Sequence, residues 1–205
     1  MKITVFAAGS QGDIQPCVVL SRGLQQAGYR VRLAAPESFA GFIQEHDVDF
    51  YPLRGDVQQI MASETGRKFM ETGGANPIKS IRAMRKMIGP VIMEMAADAY
   101  AACLDADAII SLGVFIAFGK TIAEALSIPI INIEPTPLLP TRAFSAPSWP
   151  IQRNLGGLHN YFSGIVMLKV IWMWHQPFVN EFRERLGLST LTAKSFISAL
   201  KSTPM

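Results

Sequence analysis

One stretch limits what this chain can fold into. Residues Ile3 to Ala8 form a hydrophobic run whose one polar residue is Thr4, Gly9-Ser10-Gln11-Gly12-Asp13 follows, and Ile14 to Ala27 is amphipathic. A nearly continuous run marks a strand buried on both faces, as in a parallel sheet, whereas a half-exposed strand alternates. A strand, a glycine-bearing turn and a helix make the entrance of a βαβ unit. In open α/β folds, ligands bind in the crevice outside the carboxyl end of such a strand. Gly9 and Gly12 let the backbone come close to a ligand. Ser10 adds a hydroxyl, Gln11 an amide and Asp13 a carboxylate. The turn has neither the Gly-x-Gly-x-x-Gly dinucleotide spacing nor the Lys-Ser/Thr of a phosphate loop.

The pattern then repeats. Lys2 to Ala8 reads as the first strand. The helix after it directs Val18, Val19, Leu20 and Leu24 to the sheet and ends at Gly28. Tyr29 to Ala35 is a second strand, broken by Pro36. Ser38 to Glu45 is a short helix with Phe39, Phe42 and Ile43 inward, and Val48 to Leu53 is a third strand. This β-α-β-α-β order specifies an α/β, Rossmann-like, doubly wound parallel sheet. Arg54 to Asn76 is irregular and glycine-bearing, a loop long enough to be functional or mobile. Asn76-Pro77 reads as an N-cap and first helical residue. The helix it opens runs to about Leu104, with a kink at Gly89-Pro90. Ala108 to Ser111 and Pro129 to Ile133 are further strands, with a helix from Phe118 to Leu126 between them. Glu134 to Pro150 contains Pro135, Pro137, Pro140, Pro147 and Pro150, so it is a shaped loop. It leaves a strand's carboxyl end on the same side as the Gly9–Asp13 turn. Asn160 to Leu186 is a long helical region stopped by Gly187. Residues 1–187 thus form one Rossmann-like domain, and 188–205 read as the start of a linker.

Composition narrows the class. With 205 residues, 49% hydrophobic and 17% charged, the chain is globular rather than disordered. A net charge of +3 does not argue for a nucleic-acid partner. Cys17 and Cys103 lie far apart in apolar helical contexts. They read as buried thiols in a reducing compartment, with no metal-ligand spacing. The N-terminus enters a strand directly and lacks the shape of a signal peptide. The apolar stretch Ile165 to Trp174 contains Lys169 and is too short to span a bilayer. These features lead us to expect a cytoplasmic location.

Three segments together resemble one family. Gly9-Ser10-Gln11-Gly12-Asp13-Ile14-Gln15-Pro16 is similar to the Gly-Ser-Arg-Gly-Asp-x-x-Pro opening of glycosyltransferases that act on sterols and on glycopeptide antibiotics. Glu134-Pro135-Thr136-Pro137-Leu138-Leu139-Pro140-Thr141-Arg142-Ala143-Phe144 resembles their Gln-Pro-x-x-Pro-Thr-Arg-x-Phe loop. Phe182 to Leu188 resembles the end of their first domain. The resemblance implies one half of a GT-B fold, the acceptor-binding N-terminal domain, with the C-terminal donor domain absent from this sequence. It implies inverting transfer of a hexose from a nucleotide-sugar such as a UDP-sugar to a hydroxyl of a lipid-like acceptor. The nucleotide-sugar is a co-substrate, and neither metal nor resident cofactor is expected. Asp13 matches the family's catalytic carboxylate, and Gly9, Ser10, Gln11 and Gly12 match its donor-phosphate turn. Pro137, Thr141 and Arg142 match its acceptor-side loop. Two positions depart: Gln11 stands where Arg is usual, and Glu134 where Gln is usual.

Each candidate also has a structural reading. Asp13 is either the general base, which must reach the acceptor hydroxyl, or a helix N-cap. Ser10 and the amides of 9–12 form either an anion site or a plain tight turn. Arg142 reads as a salt-bridge anchor for its loop ahead of a cleft residue. Lys79, Arg82, Arg85 and Lys86, interleaved with apolar residues, read as a solvated face ahead of a contact with anionic lipid headgroups. Trp172, Trp174 and the methionines read as core ahead of acceptor pocket. Two other functions compete with a glycosyltransferase half: a binding subunit of a split glycosyltransferase, supplied with its donor domain in trans, and a dinucleotide-binding enzyme. Against the last stands Ala34-Ala35, where a ribose-binding acid would end the second strand.

Overall fold

The computed structural model describes residues 1–55, 60, 63, 64, 67, 77–147, 149–151, 153 and 155–202. Five strands form one sheet: β1 (Lys2–Phe6), β2 (Arg30–Pro36), β3 (Asp49–Leu53), β4 (Ala108–Leu112) and β5 (Ile130–Ile133). All pairings are parallel, in the order β3-β2-β1-β4-β5. The order reverses between β1 and β4, so the switch point lies where the Gly9 turn leaves β1.

The pleat divides the core into two layers. Ile3, Val5, Val31 and Leu33 pack with Ile14, Cys17 and Val18 of α1 (Gln11–Gln26) and Ile43 of α2 (Ala40–Gln44). Phe6, Ala34 and Ile109 point to the other face. There they meet α3 (Pro77–Cys103), α4 (Ile116–Leu126), α5 (Gly157–Arg185) and α6 (Ala193–Ser202). This is the expected doubly wound α/β arrangement.

Several boundaries differ from the sequence reading. α1 starts at Gln11 rather than Ile14, because Ser10 takes the N-cap position with extended backbone, φ −86° and ψ 176°. Its inward face is Ile14, Cys17, Val18 and Ser21, the i, i+3, i+4, i+7 set, while Val19 is exposed. Gly28 and Gly187 end their helices as expected, with φ +88° and +72°. α3 runs unbroken through Pro90. Gly89 is needed for packing: a Cβ there would lie 2.5 Å from Phe178 Cε1 of α5. Asn76 and most of 54–76 lie outside the described residues.

The chain after Gly187 does not trail away as a linker over its described length. α6 folds back onto α5, with Phe196 stacked on Trp172 at 4.7 Å and Leu200 buried. Arg183, 2% exposed, fixes the connection. Its guanidinium donates to both oxygens of Glu124 on α4, at 2.8 and 2.9 Å, and to the Ser189 carbonyl at 2.5 Å.

Candidate active site

The turn after β1 is built around the Asp13 carboxylate. Asp13 is the third residue of α1, not its N-cap. Oδ2 reaches back and accepts from the Ser10 amide at 2.7 Å and the Ser10 hydroxyl at 3.1 Å. The Ser10 carbonyl in turn accepts from the Asp13 amide at 2.9 Å. Among the described residues no donor reaches Oδ1. One oxygen therefore holds the helix start while the other stays free. The N-cap reading of Asp13 is thereby corrected: Ser10 holds that position, and Asp13 bonds back to it from the third helical residue.

The two glycines have different reasons. A Cβ on Gly9 would sit 2.8 Å from Asp13 Cγ, and closer still to Oδ2, so the carboxylate lies directly over Gly9. Gly12 is exposed and has no unusual φ, and a Cβ there would meet only Ser10 Oγ, at an ordinary 3.5 Å. The fold does not require glycine at 12. The first helical amides, of Gln11 and Gly12, have no intrahelical acceptor and point out of the helix start. Both residues are exposed.

Asp13 and Gly9 line a cleft of about 300 Å³ at the switch point. Leu112 at the end of β4, with Gly113 and Phe115 after it, forms one wall, and Pro135, Thr136 and Leu138, following β5, form another. Apart from Asp13 and Thr136 the side chains are apolar. Phe115 rests edge-on against Phe6 at 5.7 Å and His175 at 6.5 Å. Burial holds the His175 imidazole below the usual histidine range, so the group behind Phe115 is neutral. A larger groove, about 510 Å³, lies between α3 and α5 and shares no residue with this cleft. We place the site in the smaller one because it sits at the strand carboxyl ends and holds the free carboxylate oxygen.

The proline-rich loop is tied down at both ends. Glu134 Oε1 accepts from Asn132 Nδ2 at 2.9 Å, and Oε2 accepts from the Leu138 amide at 3.0 Å, which closes the segment 134–138 over the cleft. Further on, Asn160 Nδ2 donates to the Arg142 carbonyl at 3.0 Å and Ser163 Oγ accepts from the Ala146 amide at 2.8 Å. Gly164 lies so near Pro140 that a Cβ would come within 2.7 Å of its Cα.

Of the loop residues singled out in the sequence, none lines the cleft. Pro137 is exposed beside it. Thr141 Oγ1 accepts from the Ala143 amide at 3.2 Å, a local turn. The Arg142 side chain is exposed and joins no ion pair among the described residues, which corrects the salt-bridge reading. The loop is anchored through the Arg142 carbonyl instead. Phe115, Thr136 and Leu138 were missed. The signal for Phe115 was available: the switch-point rule that selects the end of β1 applies equally to the end of β4.

Comparison with known proteins gives the family. The model of the glycosyltransferase family 28 N-terminal domain matches residues 3–145. The chain belongs to this family. It is 32% identical over 193 residues to a sterol 3-beta-glucosyltransferase of Aspergillus fumigatus, covering 94% of this chain and 13% of that protein. It is 30% identical over 190 residues to the sterol 3-beta-glucosyltransferase UGT80B1 of Arabidopsis thaliana, covering 90% of this chain and 30% of that one. The chain thus spans less than a third of the length of these relatives. Among solved structures it resembles the calicheamicin glycosyltransferase CalG4, with TM-score 0.58, 12% identity and coverage of 98% of this chain and 46% of that one. It also resembles the Streptomyces glycosyltransferase SsfS6, with TM-score 0.53, 19% identity and coverage of 94% and 48%. The fold is the Rossmann-like half of a GT-B glycosyltransferase.

Proposed function

We propose that this chain is the acceptor-side half of an inverting glycosyltransferase, with Asp13 as general base. The observation that carries the reading is the divided use of the Asp13 carboxylate. Oδ2 is occupied by Ser10, and among the described residues nothing donates to Oδ1 at a largely apolar cleft. An acceptor hydroxyl in the cleft gives its proton to Oδ1 as its oxygen attacks the anomeric carbon. The bond from that carbon to the nucleoside diphosphate breaks, and Asp13 is left protonated until water takes the proton. Because the Ser10 bonds fix the carboxylate, proton transfer needs no reorganisation of the base.

In this reading the donor is a UDP-sugar held mainly by a donor domain, in cis or in trans. Its diphosphate lies against the exposed amides of Gln11 and Gly12, with Ser10 and Gly9 completing the turn. A helix start favours an anion there, and glycine at 12, which the fold does not demand, leaves room for one. The acceptor is a lipid-like alcohol such as a sterol or polycyclic natural product, which suits walls made by Leu112, Phe115, Pro135 and Leu138. No metal is assigned. Among the described residues no cluster of His, Cys, Asp and Glu could hold one.

The test is Asp13→Asn in the complete protein, donor domain included. Asn keeps an oxygen for the Ser10 amide, so α1 starts as before. We expect kcat to fall by roughly 10²–10⁴ with little change in KM for the nucleotide-sugar. Full activity would remove Asp13 as the base.

A further inference from the structure

The groove between α3 and α5 has no part in the proposed reaction, yet at about 510 Å³ it is larger than the cleft. Its floor is apolar, made by Gly89, Pro90 and Met93 of α3 and Phe178 of α5. Glycine at 89 brings the two helices together there, since a Cβ would come 2.5 Å from Phe178 Cε1. Concave sites of this size, with an apolar floor and a few convergent polar groups, are where small molecules bind.

Four cations line the groove, and they are not equivalent. The Arg54 guanidinium is taken by both oxygens of Asp98, at 2.8 to 3.1 Å. The Arg185 guanidinium is taken by Glu181 at 2.6 Å. Arg85 and Lys86 pair with no carboxylate among the described residues. Glu94 also lines the groove. It stands more than two turns beyond Lys86 on α3, about 12 Å along the axis. The groove is therefore polarised, with two uncompensated cations at one end.

That end also holds two buried donors without acceptors. Arg85 Nη2 donates to the Met173 carbonyl, which ties the side chain across from α3 to α5. Arg85 Nε is buried and finds no partner among the described residues, and the same is true of the indole Nε1 of Trp174, the next residue on α5. Trp174 packs edge-on against Phe178 of the floor, with ring centroids 6.0 Å apart. Buried N–H groups are nearly always paired, so each exception calls for a reason. Both exceptions here are donors, and they stand beside two cations. This combination suits the oxygens of an anion.

We propose that the groove is a second ligand site and takes a small water-soluble organic anion. A phosphate or carboxylate head lies at Arg85 and Lys86, where the planar guanidinium gives charge-assisted hydrogen bonds and the ammonium a point charge. A short apolar or aromatic body lies over Pro90, Met93 and Phe178. Glu94 at the other end repels a second anionic group, which limits the ligand to one charged head. A flat anionic surface does not fit, because the exposed Glu94 and Glu181 would face its negative charges. The proposal does not depend on the assignment of the reaction.

The test is an NMR titration of the chain with phenyl phosphate, read at the indole N–H signals of its three tryptophans. The Trp174 signal should shift and saturate. Those of Trp149, bonded to His159, and Trp172, stacked on Phe196, should stay. Lys86→Gln, at an exposed side chain, should weaken binding by roughly threefold to fivefold, and Glu94→Gln should tighten it. Inorganic phosphate, a head without a body, and phenol, a body without a head, should each bind more weakly than phenyl phosphate. Gln11→Glu, which adds a negative charge at the start of α1, should change nothing. The proposal would be overturned by the absence of a saturable shift at Trp174, or by full affinity in Lys86→Gln. Equal binding of inorganic phosphate would show an adventitious ion only and overturn it too. Loss of binding in Gln11→Glu would move the anion to the start of α1, with the same consequence.

Discussion

Glu134 offers the sharpest test of how the cleft is held. Its two carboxylate oxygens serve two donors, Asn132 Nδ2 at 2.9 Å and the Leu138 amide at 3.0 Å. Asn132 is 1% exposed, and its Oδ1 has no partner. Replacing Glu134 with Ala leaves the whole Asn132 amide buried and unpaired. A buried donor orphaned in this way costs about 1–3 kcal/mol. The Leu138 amide is half-buried and recovers part of its loss from water. We therefore expect Glu134→Ala to cost about 2–3 kcal/mol and to lower Tm by roughly 5–10 °C.

Glu134→Gln should behave differently. Glutamine keeps one acceptor, which can stay on the Leu138 amide, and its NH2 then faces Asn132. Asn132 can turn its amide over and offer Oδ1, the atom that now lacks a partner. Two hydrogen bonds survive, and the cost should stay under about 1 kcal/mol. Urea denaturation of the three proteins, read as a shift in midpoint at constant slope, measures the series. Placing Glu134→Ala in an Asn132→Ala background should shrink its penalty, because the orphaned group is gone. Equal penalties for Gln and Ala would show that charge, not the pairing of donors, holds this loop. The reasoning would also fail if Ala were harmless. The tolerance of Gln bears on the family resemblance, in which Gln is the usual residue here.

Burial pushes the thiols of Cys17 and Cys103 up to about 12, so neither should react with a thiol-disulfide reagent at neutral pH until the chain is unfolded, when both should titrate. The hydrogen-bonded Arg183 guanidinium holds the Glu124 carboxyl below the usual glutamate range. Such a carboxyl contributes stability above its unfolded pKa and loses it as pH falls through the folded one, so the acid limb of the stability profile should flatten in Arg183→Met. Gln11→Arg should cost the isolated chain about 0.3–1 kcal/mol, because it puts a cation at a helix N-terminus. In the complete protein it should lower KM for the nucleotide-sugar; an unchanged KM would separate position 11 from the donor diphosphate.

The fold was legible because its determinants are local. Short hydrophobic-rich stretches bounded by glycine or proline marked the strands, and Gly28 and Gly187 marked helix ends through a backbone geometry that few other residues adopt. The α6 helix was not legible. Its reason is Arg183, a residue that reads as a surface charge near a helix end and is instead buried between Glu124 and the Ser189 carbonyl. Such a pairing between residues fifty-nine apart in sequence leaves no periodic trace. The inward face of α1 was misread at Val19 for a simpler cause: three consecutive apolar residues, Val18 to Leu20, do not reveal by themselves which one faces the sheet.

The site was legible in part, and the division has a physical basis. Gly9, Ser10 and Asp13 are within four residues of one another, so their spacing encodes the geometry: Asp three positions after Ser closes the helix start, and the carboxylate then covers the preceding glycine. The far wall of the cleft depends on where β4 and β5 lie in the sheet, and no spacing encodes that. Sequence therefore drew attention to Arg142, a charged residue in a recognisable motif, whereas the structure uses its backbone carbonyl and lines the cleft with Phe115 and Leu138. The same contrast bears on function. A residue that caps a helix and a residue that accepts a proton compete for a carboxylate in a one-dimensional reading. In three dimensions Oδ2 does the first and, among the described residues, no donor reaches Oδ1, so in the proposed reaction a single side chain sets both the stability of α1 and the reactivity of the cleft. Changes that loosen Ser10 from Asp13 should lower both together.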